Sequence, residues 1–246
     1  MLRFSLLENG IDSIKHGIAH FVKSDYKYAI LHIFHGIELL LKESLYRIRP
    51  ILIYRDIDRL IKEDSYTVGF DSLITRLENV NLIKLGAESI PLRNLQRYRN
   101  RIEHKSITLD KKSAEDILGE SLKFIFKFSK EKLEINLEDH VSKSNWERIE
   151  EMIVSYDERM EKAIKEMNDI IPGDKDGLLY HRLECPYCGN ETVLYEDGGA
   201  KEAKCFFCHE PVHIFICGSC GTSYAFVDRR SEQPCDACWE RIMSED

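Results

Sequence analysis

No run of apolar residues in this 246-residue chain approaches the roughly 20 that a membrane-spanning helix requires. The most apolar stretch, residues 28–41, is interrupted by His32, His35 and Glu38. The first residues lack the uninterrupted apolar core and small-residue cleavage site of a signal peptide, since Arg3 is soon followed by Glu8 and Asp12. A cytosolic protein without membrane contact is the expectation. Cysteine is missing from the first 184 positions, and all eight cysteines lie between 185 and 238. An overall basic excess is missing too: the formal net charge is −8.

What is present describes a globular chain, with 43% hydrophobic and 32% charged residues. Its length suits one domain of ordinary size plus a small one. The charge is unevenly placed. Residues 1–172 carry 28 basic and 29 acidic side chains, whereas residues 173–246 carry 7 and 14. The acid therefore belongs to the cysteine-bearing end.

Hydrophobic periodicity predicts helices over most of the first 172 residues. Phe4, Ile11, Ile14, Ile18 and Phe21 give residues 2–22 an apolar face. A second helix, capped by Asp25, runs to about residue 48 and stops before Pro50. It is apolar on most faces, as the centre of a bundle must be. A short helix is predicted near 72–79, another from Pro91 through His104, and a further one over 112–133. From Ser144, read as a cap, Trp146, Ile149, Ile153, Tyr156, Met160, Ala163, Met167 and Ile170 alternate spacings of three and four. That is a heptad seam, which can lie on its own bundle or pair with a second copy. Residues 172–177, Pro-Gly-Asp-Lys-Asp-Gly, then break the helix and begin a linker.

The cysteines form four Cys-x2-Cys pairs, Cys185/Cys188, Cys205/Cys208, Cys217/Cys220 and Cys235/Cys238. Sixteen residues separate the first two pairs and fourteen the last two, a spacing that fits zinc ribbons. A reducing compartment favours metal over disulfide. Gly189 and Gly221 follow two of the pairs, where such turns need a positive φ. Two structural Zn2+ ions, each closed off by four thiolates and with no open position for water, are the expectation. Sequential pairing gives tandem ribbons and interleaved pairing a cross-braced fold; the sequential arrangement is favoured. Strands are predicted over 192–195 and 223–227, and His209 and His213 are read as bystanders. An acidic surface around thiolate sites repels phosphate, so a protein partner or an internal docking role suits this end better than nucleic acid. Arg229 and Arg230 are its one adjacent basic pair.

In the helical part, Arg93, Arg97, Arg99, Arg101, Lys105, Lys111 and Lys112 crowd into twenty residues that hold only two acids, Glu103 and Asp110. Such a local positive field suits phosphate, and His104 within it can move protons near neutral pH. The stretch Arg99-Asn100-Arg101-Ile102-Glu103-His104 resembles the Arg-x(4–6)-His motif of HEPN-domain ribonucleases, in which a polar residue often follows the Arg. Residues 38–42, Glu-Leu-Leu-Leu-Lys, are similar to a stretch common in the same family. The resemblance covers about residues 1–135. It implies metal-independent RNA cleavage by 2'-hydroxyl attack on the adjacent phosphate, in a composite site at a homodimer interface. His104 would serve as base or acid, Arg99 would stabilise the phosphorane and Asn100 would orient the pair. Arg93, Arg97, Arg101 and Lys105 would bind the RNA backbone. Many such proteins are toxins or anti-phage effectors.

On an ideal helix Arg99 and His104 point about 140° apart, whereas Arg97 lies near the face of His104. An irregular helix, a wrapping Arg99 side chain or Arg97 as the true partner would each answer this. One family branch carries a tyrosine two residues after the histidine, and Ser106 stands there instead. His16, His20, His32, His35 and Glu38 also have helical spacings that could present ligands to a metal between the first two helices, although buried histidines are more often hydrogen-bonded core residues. The predicted plan is a mainly α chain: an HEPN-like bundle over 1–142, a connecting helix over 143–172 and a tandem zinc-ribbon domain over 173–246. A non-catalytic module that binds RNA or a nucleotide and docks a protein through its ribbons is the alternative.

Overall fold

The computed structural model describes residues 4–58, 62, 65–84, 89–105, 109–171, 180–227, 235 and 238. The chain divides into two compact units, Met1–Tyr156 and Asp157–Asp246. Helix dominates, with a small antiparallel sheet region near the C-terminus. The linker predicted over 172–177 lies outside the described residues, as do Arg229 and Arg230.

Helix α1 (Leu6–Val22) starts later than its periodicity suggested because Ser5 stops it with a capping box: its hydroxyl accepts from the Glu8 N–H while the Glu8 carboxylate accepts from the Ser5 N–H. Phe4 therefore falls outside the helix and is exposed rather than part of the apolar face. At the other end the Asp25 N–H donates to the His20 carbonyl and the Ser24 N–H to that of Phe21, with Ser24 at φ +60°. This is a Schellman closure. It turns the chain directly into α2 (Tyr26–Ile48). Asp25 occupies the N-cap position of α2, but its side chain makes no capping bond and instead meets the His20 ring.

α1 and α2 form an antiparallel hairpin packed closely at glycines. A Cβ on Gly17 would stand 2.5 Å from Ile33 Cγ1 and 3.0 Å from the Ile33 backbone nitrogen. Gly17→Ala is expected to destabilise the bundle by about 2 kcal/mol through overpacking. The change should appear as a lower urea midpoint at unchanged slope; an unaltered midpoint would mean the two helices can part freely.

The core of this unit is built on α2, where Ile30, Ile33, Ile37, Leu40, Leu41 and Leu45 are fully buried. Around it pack α3 (Phe70–Asn79), α4 (Ile90–His104) and α5 (Lys111–Phe128). Beyond Phe128 the predicted helix changes character, ending in a π turn over Ser129–Leu133 that stops at Glu134 in the left-handed region. Helix α6 (Lys143–Ile170) begins one residue before Ser144, and Ser142 supplies the carbonyl for the Trp146 N–H. Its seam is used within one chain: Ile149 joins the bundle core, and Ala163 and Met167 are buried in the second unit.

In the second unit β1 (Tyr180–Leu183) pairs with β2 (Val193–Glu196), and β3 (Glu202–Lys204), β4 (Pro211–Ile216) and β5 (Ser223–Phe226) form an antiparallel sheet in that order. The strands predicted over 192–195 and 223–227 correspond to β2 and β5; β1, β3 and β4 add to these, β4 being the longest of the five.

Candidate functional site

Helix α4 is amphipathic in a way that sorts its chemistry. Pro91 occupies its first turn, and Leu92, Asn94, Leu95 and Tyr98 are buried. At 100° per residue, Arg93, Arg97, Asn100, Arg101 and His104 fall within about a third of the helix circumference on another side. Arg93, Arg101, His104 and Lys105 are exposed, and Arg97 and Asn100 are half-buried. The His104 side chain is 70% exposed. Arg101 lies 5.5 Å over the Tyr98 ring.

Arg99 takes a different direction. Its guanidinium sits 5.2 Å from the centre of the Phe34 ring on α2, and its Nη1 lies 2.9 Å from both Glu103 Oε2 and Asn100 Oδ1. The α-helix is unbroken through His104, so no irregularity rotates the two residues together. Arg99 thus leans on Phe34 and Glu103 rather than standing free. Beside the imidazole lies Glu103, whose Oε2 is 3.8 Å from His104 Nε2. Glu103 had been read only as one of two acids in a basic run; its bond to Arg99 is an ordinary i, i+4 ion pair that spacing alone could have indicated. Ser106 lies outside the described residues. In α2, Lys42 is buried and donates to Glu38 at 2.7 Å and Thr67 at 3.0 Å, which makes the Glu38 and Lys42 pair part of the fold's support.

A second polar constellation was not foreseen. Asn94 on α4 and Tyr156 on α6 hydrogen-bond Glu120 of α5, beside Asp116 and Lys123. Desolvation pushes the Glu120 carboxyl up to about 7, against the opposing pull of those two hydrogen bonds. A lone acid among Ile117, Leu118, Ser121 and Leu122 was the available signal.

The cysteines converge as two sets, Cys185, Cys188, Cys205 and Cys208, and Cys217, Cys220, Cys235 and Cys238, with the sulfurs of each set all within 4.8 Å of one another. The sequential pairing is the one adopted. Sulfur separations of 3.6 Å (Cys185 to Cys208), 3.7 Å (Cys188 to Cys205) and 3.8 Å (Cys220 to Cys235) are far too long for disulfides. They match the edge of about 3.8 Å that a tetrahedron with metal–sulfur bonds of ~2.3 Å would have. Each set can hold one metal ion.

The knuckles are shaped by local bonds. Gly189 and Gly221 donate to the carbonyls of Cys185 and Cys217 and have φ of +75° and +72°. The equivalent position after Cys208 is His209, which donates to the Cys205 carbonyl at φ +64°. Its backbone replaces glycine, and its ring is not a member of either ligand set. The Cys208 N–H donates to Cys205 Sγ at 3.4 Å and the Cys235 N–H to Cys217 Sγ at 3.2 Å. In the first set the shared hydrogen bonds push the Cys205 thiol down and the Cys188 thiol up. In the second, the Cys235 N–H holds the Cys217 thiol down at about 6. Four sulfurs this close cannot all ionise unless a cation offsets them.

No helix among the described residues is long and apolar enough to cross a membrane. No protein-family model, curated protein or solved structure matches this chain, so its function is read from its own residues.

Proposed function

We propose that the chain is a metal-independent endoribonuclease of HEPN type, carrying two structural zinc ions in its C-terminal unit and acting as a homodimer. The observation that carries this reading is the exposed His104 at the end of a helix whose same side bears Arg93, Arg97 and Arg101. In the reaction a neutral His104 takes the proton of the 2'-hydroxyl as its oxygen attacks the adjacent phosphorus. A protonated His104 from the second protomer gives a proton to the departing 5'-oxygen. The products are a 2',3'-cyclic phosphate and a 5'-hydroxyl, and the arginines offset the charge that gathers on the phosphorane.

In this reading Arg97 supplies that charge beside its own His104, while Arg99 either reaches across to the partner's phosphate site or serves only to anchor α4 on Phe34 and Glu103. The zinc ions fit four-thiolate sites that leave no coordination position for substrate. The acidic end, with 14 acids against 7 basic residues over 173–246, suits docking to a protein rather than to RNA. By analogy with the resembling family, a toxin or anti-phage role fits a nuclease restrained through such a docking end. The second reading is a binding module without catalysis, and the observation favouring it is that Arg99 and Asn100 bond to each other and not to His104.

Labelled RNA incubated with the full chain in EDTA tests both. The expected result is cleavage that leaves 2',3'-cyclic phosphate ends and falls at least ~100-fold in His104→Ala. A comparable fall in Arg97→Ala but not in Arg99→Ala assigns the arginine. RNA that is bound but never cut, with binding weakened in Arg97→Ala and unaltered in His104→Ala, would establish the binding module instead.

A further inference from the structure

The α1–α2 hairpin gathers four of the nine histidines, and three of them meet. His16 and His20 lie one turn apart on α1, and both face His32 of α2, with ring centres at 5.9 Å and 5.4 Å. The His20 and His32 rings are nearly parallel, at 7°. His16 is exposed, while His20 and His32 are half-buried. The glycine contacts at Gly10, Gly17 and Gly36 hold the two helices too close for the rings to drift apart.

Two further features prepare these rings as ligands. The Schellman turn delivers Asp25 to His20, whose Nδ1 lies 3.0 Å from Asp25 Oδ2. A ring that donates its Nδ1–H to a carboxylate is fixed with the lone pair on Nε2, which is the arrangement found behind metal-bound histidines. Asp12 stands in a similar relation to His16, with 3.5 Å between its Oδ2 and the His16 Nε2.

We propose that His16, His20 and His32 form a site for a divalent first-row transition ion, with Asp25 as the positioning residue behind His20. Three imidazoles suit Zn2+, Co2+, Ni2+ or Cu2+ and leave the remaining coordination positions to water. As the rings stand, their nitrogens are not within one coordination sphere, because among the described residues only the two cysteine sets converge that closely. Closure requires rotation of the His16 and His32 side chains about χ1 and χ2 toward a His20 kept on Asp25, which the exposure of His16 and the partial exposure of His32 permit. The site is independent of the nuclease reading and of the cysteine sets.

The test uses the full chain with its cysteine sites already filled by two equivalents of Zn2+, titrated with Co2+ and followed by visible absorption. The expected result is one further equivalent with d–d bands and no thiolate charge-transfer band. Binding should be lost in both His20→Ala and His32→Ala, weakened roughly 10- to 100-fold in Asp25→Ala, and unaltered in His140→Ala. His32→Gln, which keeps the size of the side chain, should lose binding with helix content unchanged. Binding that persists in His32→Ala and His32→Gln would reduce the site to an ordinary i, i+4 pair on α1 and overturn the proposal. Failure of the wild type to take up the additional ion would overturn it as well.

Discussion

Cys205→Ser is expected to unfold the first cysteine set with β1 to β3 while leaving the helical bundle folded. Cys205 is fully buried, accepts from the Cys208 N–H and stands 3.1 Å from the Thr192 hydroxyl, so its sulfur joins both knuckles of the first set. The strands here run to only three to six residues, and the buried apolar side chains they carry, Leu183, Val193, Tyr195, Val212, Ile214 and Phe215, with Phe207 between them, are few. So little apolar surface cannot offset the entropy of ordering the segment. A structural zinc contributes on the order of 10 kcal/mol, about as much as a whole domain's stability. Native mass spectrometry should therefore find one zinc in place of two, and the amide resonances of β1 to β3 should collapse toward random-coil shifts. Retention of two zinc ions in Cys205→Ser, or dispersed resonances after complete chelation, would show that packing and not metal holds this end together.

Glu120→Gln is expected to stabilise the bundle at pH 8 by about 3 kcal/mol. The folded carboxyl titrates near 7, against 4.5 for an ordinary glutamate. A group whose folded value is raised contributes stability that is complete below about pH 4.5 and is lost as pH rises through 7, because the unfolded chain ionises first. At roughly 1.4 kcal/mol for each tenfold change in proton affinity, the gap between 4.5 and about 7 amounts to about 3 kcal/mol. Glutamine never ionises, yet its carbonyl still accepts the hydrogen bonds of Tyr156 and Asn94. Asp116 and Lys123, which face the carboxyl with opposite effects, remain in place. Urea melts at pH 5 and pH 8 provide the check. The variant's gain should be large at the higher pH and mostly gone at the lower. An equal gain at both would trace the effect to packing rather than ionisation.

The legible parts of this chain are those governed by neighbours a few residues apart. Helical periodicity placed α1 to α6 within a few residues of their ends, and the largest errors lie at α1, which the Ser5 capping box starts late, and at α5, whose last five predicted residues form a π turn. Cys-x2-Cys spacing revealed four knuckles for the same reason, since two sulfurs on one tight turn need no help from elsewhere to converge. β3 escaped because three residues hold too little alternation to register, and β4, the longest strand, because Pro-Val-His-Ile-Phe-Ile does not alternate cleanly between apolar and polar positions.

By itself, the sequence determined a mainly helical chain, a basic face on α4 around His104, and four thiolate knuckles in an acidic end. Each depends on residue type and on spacings shorter than two helical turns. The tertiary structure alone decided which knuckles converge, that Arg99 leans on Phe34, that Asp25 serves His20 rather than the start of α2, and that Glu120 is desolvated. These depend on what a distant segment presents to a side chain. A helical position sets the direction in which a residue leaves the backbone, but the partner waiting there, 3 to 5 Å away and often dozens of residues distant in the chain, sets its charge, its hydrogen bonds and its use.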